Sequence, residues 1–173
     1  MIKIKEEFKN LIPALTKEEY KQLENNCIAE GIREKILIWN GFIIDGHNRY
    51  EISLKWDLEI QTETKHFQDE EAVKEWMILN QFGRRNLSNY QRSVLALQLE
   101  EVFSNKAKEN QVRKANSVLL ISAEQKLDTR KELSKIASVG HDTIAKVKKI
   151  QAQASEEVKA KLSTGEVSIN SAY

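Results

Sequence analysis

The segment from residue 129 to residue 150 limits what the chain can fold into more than any other feature. Two short apolar patterns with helical spacing flank a turn at Gly140. The apolar residues that would share the inner helix faces are Leu133, Ile136 and Ala137 in the first pattern, and Ile144, Val147 and Ile150 in the second. Thr129 and Glu132 form a capping box, so the first helix is predicted to begin after Thr129. Two helices joined by a three-residue turn, with Val139 filling the space between them, indicate a helix-turn-helix.

The outward residues of the second helix are polar or basic. In a helix-turn-helix the second helix enters the major groove of duplex DNA. We expect base contacts near its start, from His141, Asp142, Thr143 and Lys146. We expect phosphate contacts from Lys148 and Lys149, and from Thr129 and Arg130 on the first helix. The alternative is a helical hairpin with a solvated basic face.

The formal net charge of +1 conceals two unlike halves. Residues 1–80 hold 11 Lys and Arg against 16 Asp and Glu, a balance of −5, whereas residues 81–173 hold 16 against 10, a balance of +6. Lys and Arg release condensed counterions from nucleic acid, so the basic half is suited to bind it. Ordinary surface charge, unevenly spread, is the alternative.

The composition excludes several classes of protein. Charged residues make up 31% of the chain and Pro occurs once, which is typical of a helix-rich globular protein. The sequence contains neither an apolar run long enough for a membrane span nor a signal-peptide core, so we expect a cytoplasmic protein that does not bind membranes. The single cysteine, Cys27, excludes an internal disulfide and a Cys-rich zinc site, and is interpreted as a small buried hydrophobe.

The first part of the chain is predicted to be an α+β domain, residues 1–87. A capping box at Thr16 and Glu19 begins a predicted helix over 17–30, which Gly31 would end as a left-handed C-cap. Two β-rich runs flank Asn40-Gly41, the preferred dipeptide of a type I′ hairpin. A further strand is predicted over 60–67, and Asp69 is a predicted N-cap for the next helix.

The second part, residues 88–173, is predicted to be an all-α domain with the helix-turn-helix at about 129–150. Ser88 and Gln91 form another capping box, and the apolar spacing after them predicts a long helix to about residue 108. The run Val118–Ile121 is ambiguous between helix and strand, and we interpret it as helix because its surroundings are helical.

A second candidate site lies where a predicted strand ends at Gly46. Helix N-terminal amides after a glycine bind anions, and arginine clamps phosphate. The candidate nucleotide- or phosphate-binding residues are Gly46, His47, Asn48, Arg49, Arg84 and Arg85. An ordinary turn and two surface arginines are the alternative. We predict no catalytic residue, since His47 is interpreted as a turn residue, and no metal site, since His66 and His141 have no neighbouring ligands.

The order of these elements resembles the ParB-like proteins, which join a ParB/sulfiredoxin-fold domain to a helix-turn-helix. The resemblance runs from Leu11 to Tyr173. Residues 43–49, Ile-Ile-Asp-Gly-His-Asn-Arg, stand where the family has Gly-Glu-Arg-Arg. Residues 80–88, from Asn80 to Ser88, stand where it has Glu-Asn-x-Gln-Arg-x-x-Leu-Asn, and the helix-turn-helix follows.

The resemblance implies sequence-specific binding of double-stranded DNA, in partition or transcription regulation of a plasmid, phage or mobile element. It implies palindromic sites, a homodimer, a partner ATPase, association with the nucleoid or plasmid, and modulation by CTP with Mg. The matching positions for CTP are Gly46, Arg49 and Arg84.

Departures from the family motifs argue against CTP hydrolysis. His47 and Asn48 replace a Glu and an Arg, while Asn80 and Gln81 replace a Glu and an Asn. A neutral Asn cannot act as a base. Two alternatives stay open. One is a phosphate-handling enzyme (kinase, NTPase or nuclease) that uses the region around Gly46–Arg49 and Arg84, and the other is a protein-binding adaptor.

Overall fold

A computed structural model describes residues 2–83, 87–115 and 125–173, with the backbone alone at 109–115 and 125–130. The chain divides into two compact units, Met1–Met77 and Ile78–Tyr173. The elements of the first are α1 (Glu6–Lys9), α2 (Lys17–Glu30), β1 (Ile36–Trp39), β2 (Phe42–Asp45), α3 (His47–Trp56), β3 (Thr62–Thr64) and the start of α4 (Glu70–Phe82). The second continues with α5 (Asn89–Ala115), α6 (Gln125–Ala137), α7 (His141–Gln153), α8 (Glu156–Thr164) and α9 (Ile169–Ala172). The domain boundary near residue 87 stays a prediction.

A three-stranded sheet of order β2-β1-β3 organises the first unit. β1 and β2 are antiparallel, with Trp39 opposite Phe42, and β1 and β3 are parallel, with Ile36 opposite Thr62. Asn40 and Gly41 have φ of 47° and 82°, both positive as a type I′ turn requires. The predicted hairpin is therefore confirmed.

The core of the first unit lies between the sheet and the helices α1 and α4. Phe8, Ile44, Val73 and Met77 are each at most 1% exposed and pack together. α2 packs on α3, and Cys27 of α2 is buried, as predicted. Burial raises the pKa of the Cys27 thiol, which makes it a packing residue rather than a nucleophile.

Three helix starts match the capping predictions. Thr16 and Glu19 exchange both capping-box hydrogen bonds at the start of α2. Ser88 and Gln91 do the same before α5. The Asp69 carboxylate accepts a hydrogen bond from the Ala72 amide in the first turn of α4.

Other element boundaries were predicted wrongly. α6 begins at Gln125, so Thr129 lies inside the helix instead of capping it; Gln, Lys and Leu before it are strong helix formers. β3 is three residues long because its partner β1 offers only four. α5 runs to Ala115, beyond residue 108. Gly31 ends α2, but its ψ of 179° lies outside the left-handed helical region.

The run Val118–Ile121 lies outside the described residues. None of the helices described here is both long enough and apolar enough to cross a membrane.

Candidate functional site

The turn between α6 and α7 is built as the sequence predicted. Ala137 and Val139 are buried against Ala96 of α5, with Ile144 packed on the same cluster. The small side chains of Ala96 and Ala137 let α6 approach α5 closely, and Val139 fills the space at the turn. The three-residue connection, Ser138 to Gly140, is a genuine helix-turn-helix turn in its length and packing.

The inner face of α7 determines which of its side chains reach solvent. Val147 and Ile150 are 0% and 3% exposed and pack with Tyr90 of α5 and Leu162 of α8. The remaining faces of α7 carry the predicted DNA-contacting residues. His141, Asp142, Lys148 and Lys149 are exposed, and Thr143 and Lys146 are half-buried.

The three lysines of α7 differ in what they contact. The Lys148 ammonium forms an ion pair with Glu100 of α5 at 3.1 Å. Lys146 donates instead to the side-chain oxygen of Asn170, at 2.8 Å, and Lys149 donates to the Tyr173 hydroxyl, also at 2.8 Å. The charge of Lys148 is therefore offset within the fold, whereas Lys146 and Lys149 bond to neutral partners.

Asn170 and Tyr173 were not predicted as site residues. They lie 24 positions after the lysines that they contact. The ring of Tyr173 also lies beneath both ammonium groups. The distance from the ring centroid to Nζ is 5.6 Å for Lys146 and 5.1 Å for Lys149. The hydrogen bond from Lys149 and the two nearby positive charges lower the pKa of the Tyr173 phenol. No sequence motif signals this long-range contact.

Two predicted phosphate-contacting residues lie on α6. The backbone of Thr129 and Arg130 belongs to that helix. Their side chains are outside the described part of the chain, so phosphate contact by Thr129 and Arg130 stays a prediction.

The second candidate site lies between β2 and α3. Gly46 precedes the helix with φ 92° and ψ 21°, a left-handed conformation that side chains rarely adopt. A Cβ atom added there would lie 3.2 Å from the Arg49 guanidinium and 3.3 Å from Ile36. Gly46 has no side chain to cap the first-turn amides of α3, at His47, Asn48 and Arg49. The predicted strand-to-helix junction is present, and anion binding at it stays a prediction.

The guanidinium of Arg49 is paired with two carboxylates. Its Nη2 atom lies 2.9 Å from the Asp45 carboxylate, and its Nη1 atom donates to Glu34. Glu34 was not predicted to belong to the site, since the loop before β1 carries no motif. An anionic ligand would have to displace these carboxylates or share Arg49 with them. Arg84 and Arg85 lie outside the described residues.

His47 occupies the first position of α3 and is 4% exposed. Neither of its ring nitrogens has a hydrogen-bond partner among the residues that the structure describes. Burial lowers the pKa of His47, a trend that Asp45 and Glu51 oppose and Lys9 reinforces. The side chain is therefore held as a neutral imidazole inside the first unit.

The residues near Gly46 fit a nucleotide with Mg only in part. The bare backbone of Gly46 suits a phosphate group, but the pairing of Arg49 with Asp45 and Glu34 opposes one. Within the described residues, no group of three or more His, Cys, Asp and Glu side chains could hold a metal ion. We therefore derive no chemical step through CTP or Mg.

Comparison with solved structures shows the fold. The chain is similar to a Pnob8-like ParB-N domain over 99% of its length and 74% of that chain, with 17% identity and a TM-score of 0.65. A second pNOB8-like ParB N-domain structure gives 19% identity and a TM-score of 0.61 over 99% of this chain and 69% of the other. The chain thus has a ParB-like fold, an α+β unit followed by helices.

A third structure is less similar. The C-terminally truncated chromosome-partitioning protein ParB from Caulobacter crescentus, complexed to the centromeric parS site, gives 16% identity and a TM-score of 0.47 over 92% of this chain and 73% of that one. That similarity is too low to support an inference about this chain. No family model and no curated protein sequence matches the chain.

The burial of His47 predicts a pH-dependent stability. The unfolded chain protonates this imidazole near pH 6.5, whereas the folded chain, with its lowered pKa, resists protonation. The contribution of His47 to the free energy of unfolding is therefore complete above about pH 6.5, and it declines as the pH falls below that value. Urea unfolding at about pH 7.5 and pH 5.5 should show the loss in the unaltered chain.

The matched variants separate His47 from the other titrating groups. His47→Asn should show a smaller loss between the two pH values, because it removes the group that binds the proton on unfolding. His66→Asn, at an exposed position of the same unit, should keep the full loss. Equal losses in all three proteins would refute the role of His47.

Proposed function

We propose that this chain is a sequence-specific, double-stranded DNA-binding protein of the ParB-like type, acting in partition or regulation of a plasmid, phage or mobile element. The observation that carries the proposal is α7, which buries Val147 and Ile150 and presents Lys146 and Lys149 outwards. A helix of this kind after a three-residue turn is the element that enters the major groove in helix-turn-helix proteins. The ParB-like fold supports the same function.

The charge distribution supports the assignment of DNA binding to the second half. Residues 81–173 carry an excess of positive charge and residues 1–80 an excess of negative charge. Duplex DNA would be attracted to the former and repelled by the latter. We propose that the protein binds palindromic sites as a homodimer, because helix-turn-helix proteins commonly read two half-sites. A partner ATPase and association with nucleoid or plasmid belong to the same proposal.

The first test is replacement of Lys146 and Lys149, the two lysines of α7 that bond to neutral partners. Lys146→Ala/Lys149→Ala should weaken duplex binding on the order of tenfold to a hundredfold, because two charge-assisted contacts are lost. The dependence of log affinity on log salt should become shallower by about 0.9 for each phosphate contact that the two lysines make. Genomic-fragment enrichment supplies the duplex, and fluorescence anisotropy over a salt series measures both quantities.

Lys161→Ala is the matched control for this experiment. Lys161 lies on α8 of the same unit and pairs with Glu157 at 2.7 Å. Its removal should leave affinity and salt slope unchanged. Salt-independent binding by the unaltered chain, or full binding by the double variant, contradicts the proposal.

The binding of a nucleotide phosphate at the start of α3 is a second candidate function. One observation favours it: Gly46 is left-handed, no side chain caps the start of α3, and the Arg49 guanidinium lies beside the glycine. Backbone N–H groups at such a helix start donate hydrogen bonds to anions. The nearby carboxylates, Asp45 and Glu34, weaken the site, and so we place nucleotide binding second to DNA binding.

The ion pair between Glu34 and Arg49 allows a test in which one variant should weaken nucleotide binding and another should strengthen it. Arg49→Ala should abolish CTP binding in the presence of Mg. Glu34→Gln should strengthen it about two- to fivefold, the range expected for release of one largely exposed ion pair. Titration calorimetry with CTP, ATP and GTP measures both effects.

Arg33→Ala is the matched control, since Arg33 is an exposed neighbour paired with Glu30. It should bind CTP as the unaltered chain does. If the unaltered chain gives no heat with any of the three nucleotides, the proposal fails and a protein-binding role for the first unit is favoured.

A further inference from the structure

The short helix α9 is anchored on the same apolar cluster as α7. Ile169 and Ala172 pack against the cluster that contains Val147 and Ile150. Ser168 caps the helix by accepting a hydrogen bond from the Ser171 amide at 3.2 Å. With Ile169 and Ala172 turned to the core, Asn170 and Tyr173 are exposed and contact α7. Their position beside the lysines is therefore set by packing.

In the hydrogen bonds between the α7 lysines and the C-terminal residues Asn170 and Tyr173, the lysines are the donors. Both ammonium groups donate, Lys146 to Asn170 Oδ1 and Lys149 to Tyr173 Oη, each at 2.8 Å. Each acceptor side chain keeps a donor of its own, the amide NH₂ of Asn170 and the phenol O–H of Tyr173. Two charged donor groups therefore lie over the Tyr173 ring, and two neutral donors belong to the side chains that accept their hydrogen bonds.

Lys146 and Lys149 lack the ion pairs that hold several other cationic side chains of the described residues. Among the ion pairs of the described residues, none involves Lys146 or Lys149, whereas Lys148 pairs with Glu100 and Arg49 with Asp45. A site rich in donors, whose ammonium groups form no ion pair with the described residues, is suited to an oxyanion. Two fixed ammonium groups also lose less side-chain entropy on binding than two mobile ones.

We propose that Lys146, Lys149, Asn170 and Tyr173 form a single binding site for a phosphate group of the DNA backbone, so that α9 belongs to the DNA-binding surface. This inference rests on the proposed function and deepens it. It transfers Lys146 from the residues expected to read bases to those that contact the backbone. Asn170 and Tyr173 both hold the ammonium groups in place and donate to the phosphate.

The electrostatics of Tyr173 agree with this role. The hydrogen bond from Lys149 and the adjacent positive charges lower the pKa of the phenol, which makes its O–H a better donor to a phosphate oxygen. The exposed ring, 58% accessible, leaves the hydroxyl open to a ligand.

Tyr173→Phe is the central variant, because it removes only the hydroxyl and keeps the ring under both lysines. Affinity for duplex DNA should fall about three- to tenfold, the loss expected for one ordinary net hydrogen bond at an exposed position. The loss should be equal for the enriched duplex and for a scrambled duplex, because a backbone contact carries no sequence information. Tyr20→Phe, on α2 of the first unit, is the control and should bind both duplexes normally.

Asn170→Asp is the second variant, chosen because it changes charge with almost no change in size. The new carboxylate should hold Lys146 in an ion pair and repel phosphate, so that the loss exceeds that of Tyr173→Phe on both duplexes. Thermal unfolding of each variant checks that α9 stays folded. A parallel titration with inorganic phosphate distinguishes a site for the DNA backbone from a site for a free anion.

The outcomes separate this inference from the function on which it rests. Equal weakening on both duplexes, without saturable binding of inorganic phosphate, supports the inference. Unchanged binding by Tyr173→Phe and Asn170→Asp overturns it and leaves DNA binding by α7 intact. Weakening on the enriched duplex alone overturns it in favour of base reading. Saturable phosphate binding by a chain that binds no duplex overturns both proposals.

Discussion

The contact of α7 with its apolar cluster is the interaction on which the rest of the candidate interface depends. Burial of Val147 and Ile150 fixes the rotation of the helix about its axis, and this rotation determines which side chains reach solvent. The same cluster receives Ile169 and Ala172, which places α9 next to the basic face. Packing of α7 and α9 on this one cluster therefore both orients the lysines and places their neutral partners beside them. A change in this core would disturb the proposed DNA contact without replacing any of the residues proposed to make it.

Electrostatic surroundings distinguish the two candidate anion sites. Arg49 lies beside a left-handed glycine at a helix start, which is favourable geometry, yet Asp45 and Glu34 already occupy its guanidinium. The α7 lysines have less distinctive backbone geometry, but Lys146 and Lys149 bond to uncharged groups that can themselves donate. An anion arriving at Lys146 and Lys149 gains contacts without breaking any ion pair of the described residues. We therefore assign DNA binding to the second unit and give nucleotide binding the lower rank.

Local signals in the sequence predicted most of the fold but only part of the site. The Asn40-Gly41 turn and the capping boxes are formed by neighbouring residues, so the sequence specifies them directly. The start of α6 was wrong because strong helix formers before Thr129 extend the helix past a residue that could have capped it. Tyr173 and Glu34 were missed since their contacts join residues far apart in the chain, and no periodicity encodes such a meeting.

The most direct test of the account is an NMR titration of the ¹⁵N-labelled chain with the duplex obtained by genomic-fragment enrichment. We expect the largest amide shifts in residues 141–149 of α7 and in residues 170–173, at the end of α9 and just after it, saturating together as the duplex is added. Residues 42–56, around Gly46, should shift little, because that region lies in the acidic half of the chain. Large shifts around Gly46 with an unperturbed α7 would contradict the assignment of DNA binding to the helix-turn-helix.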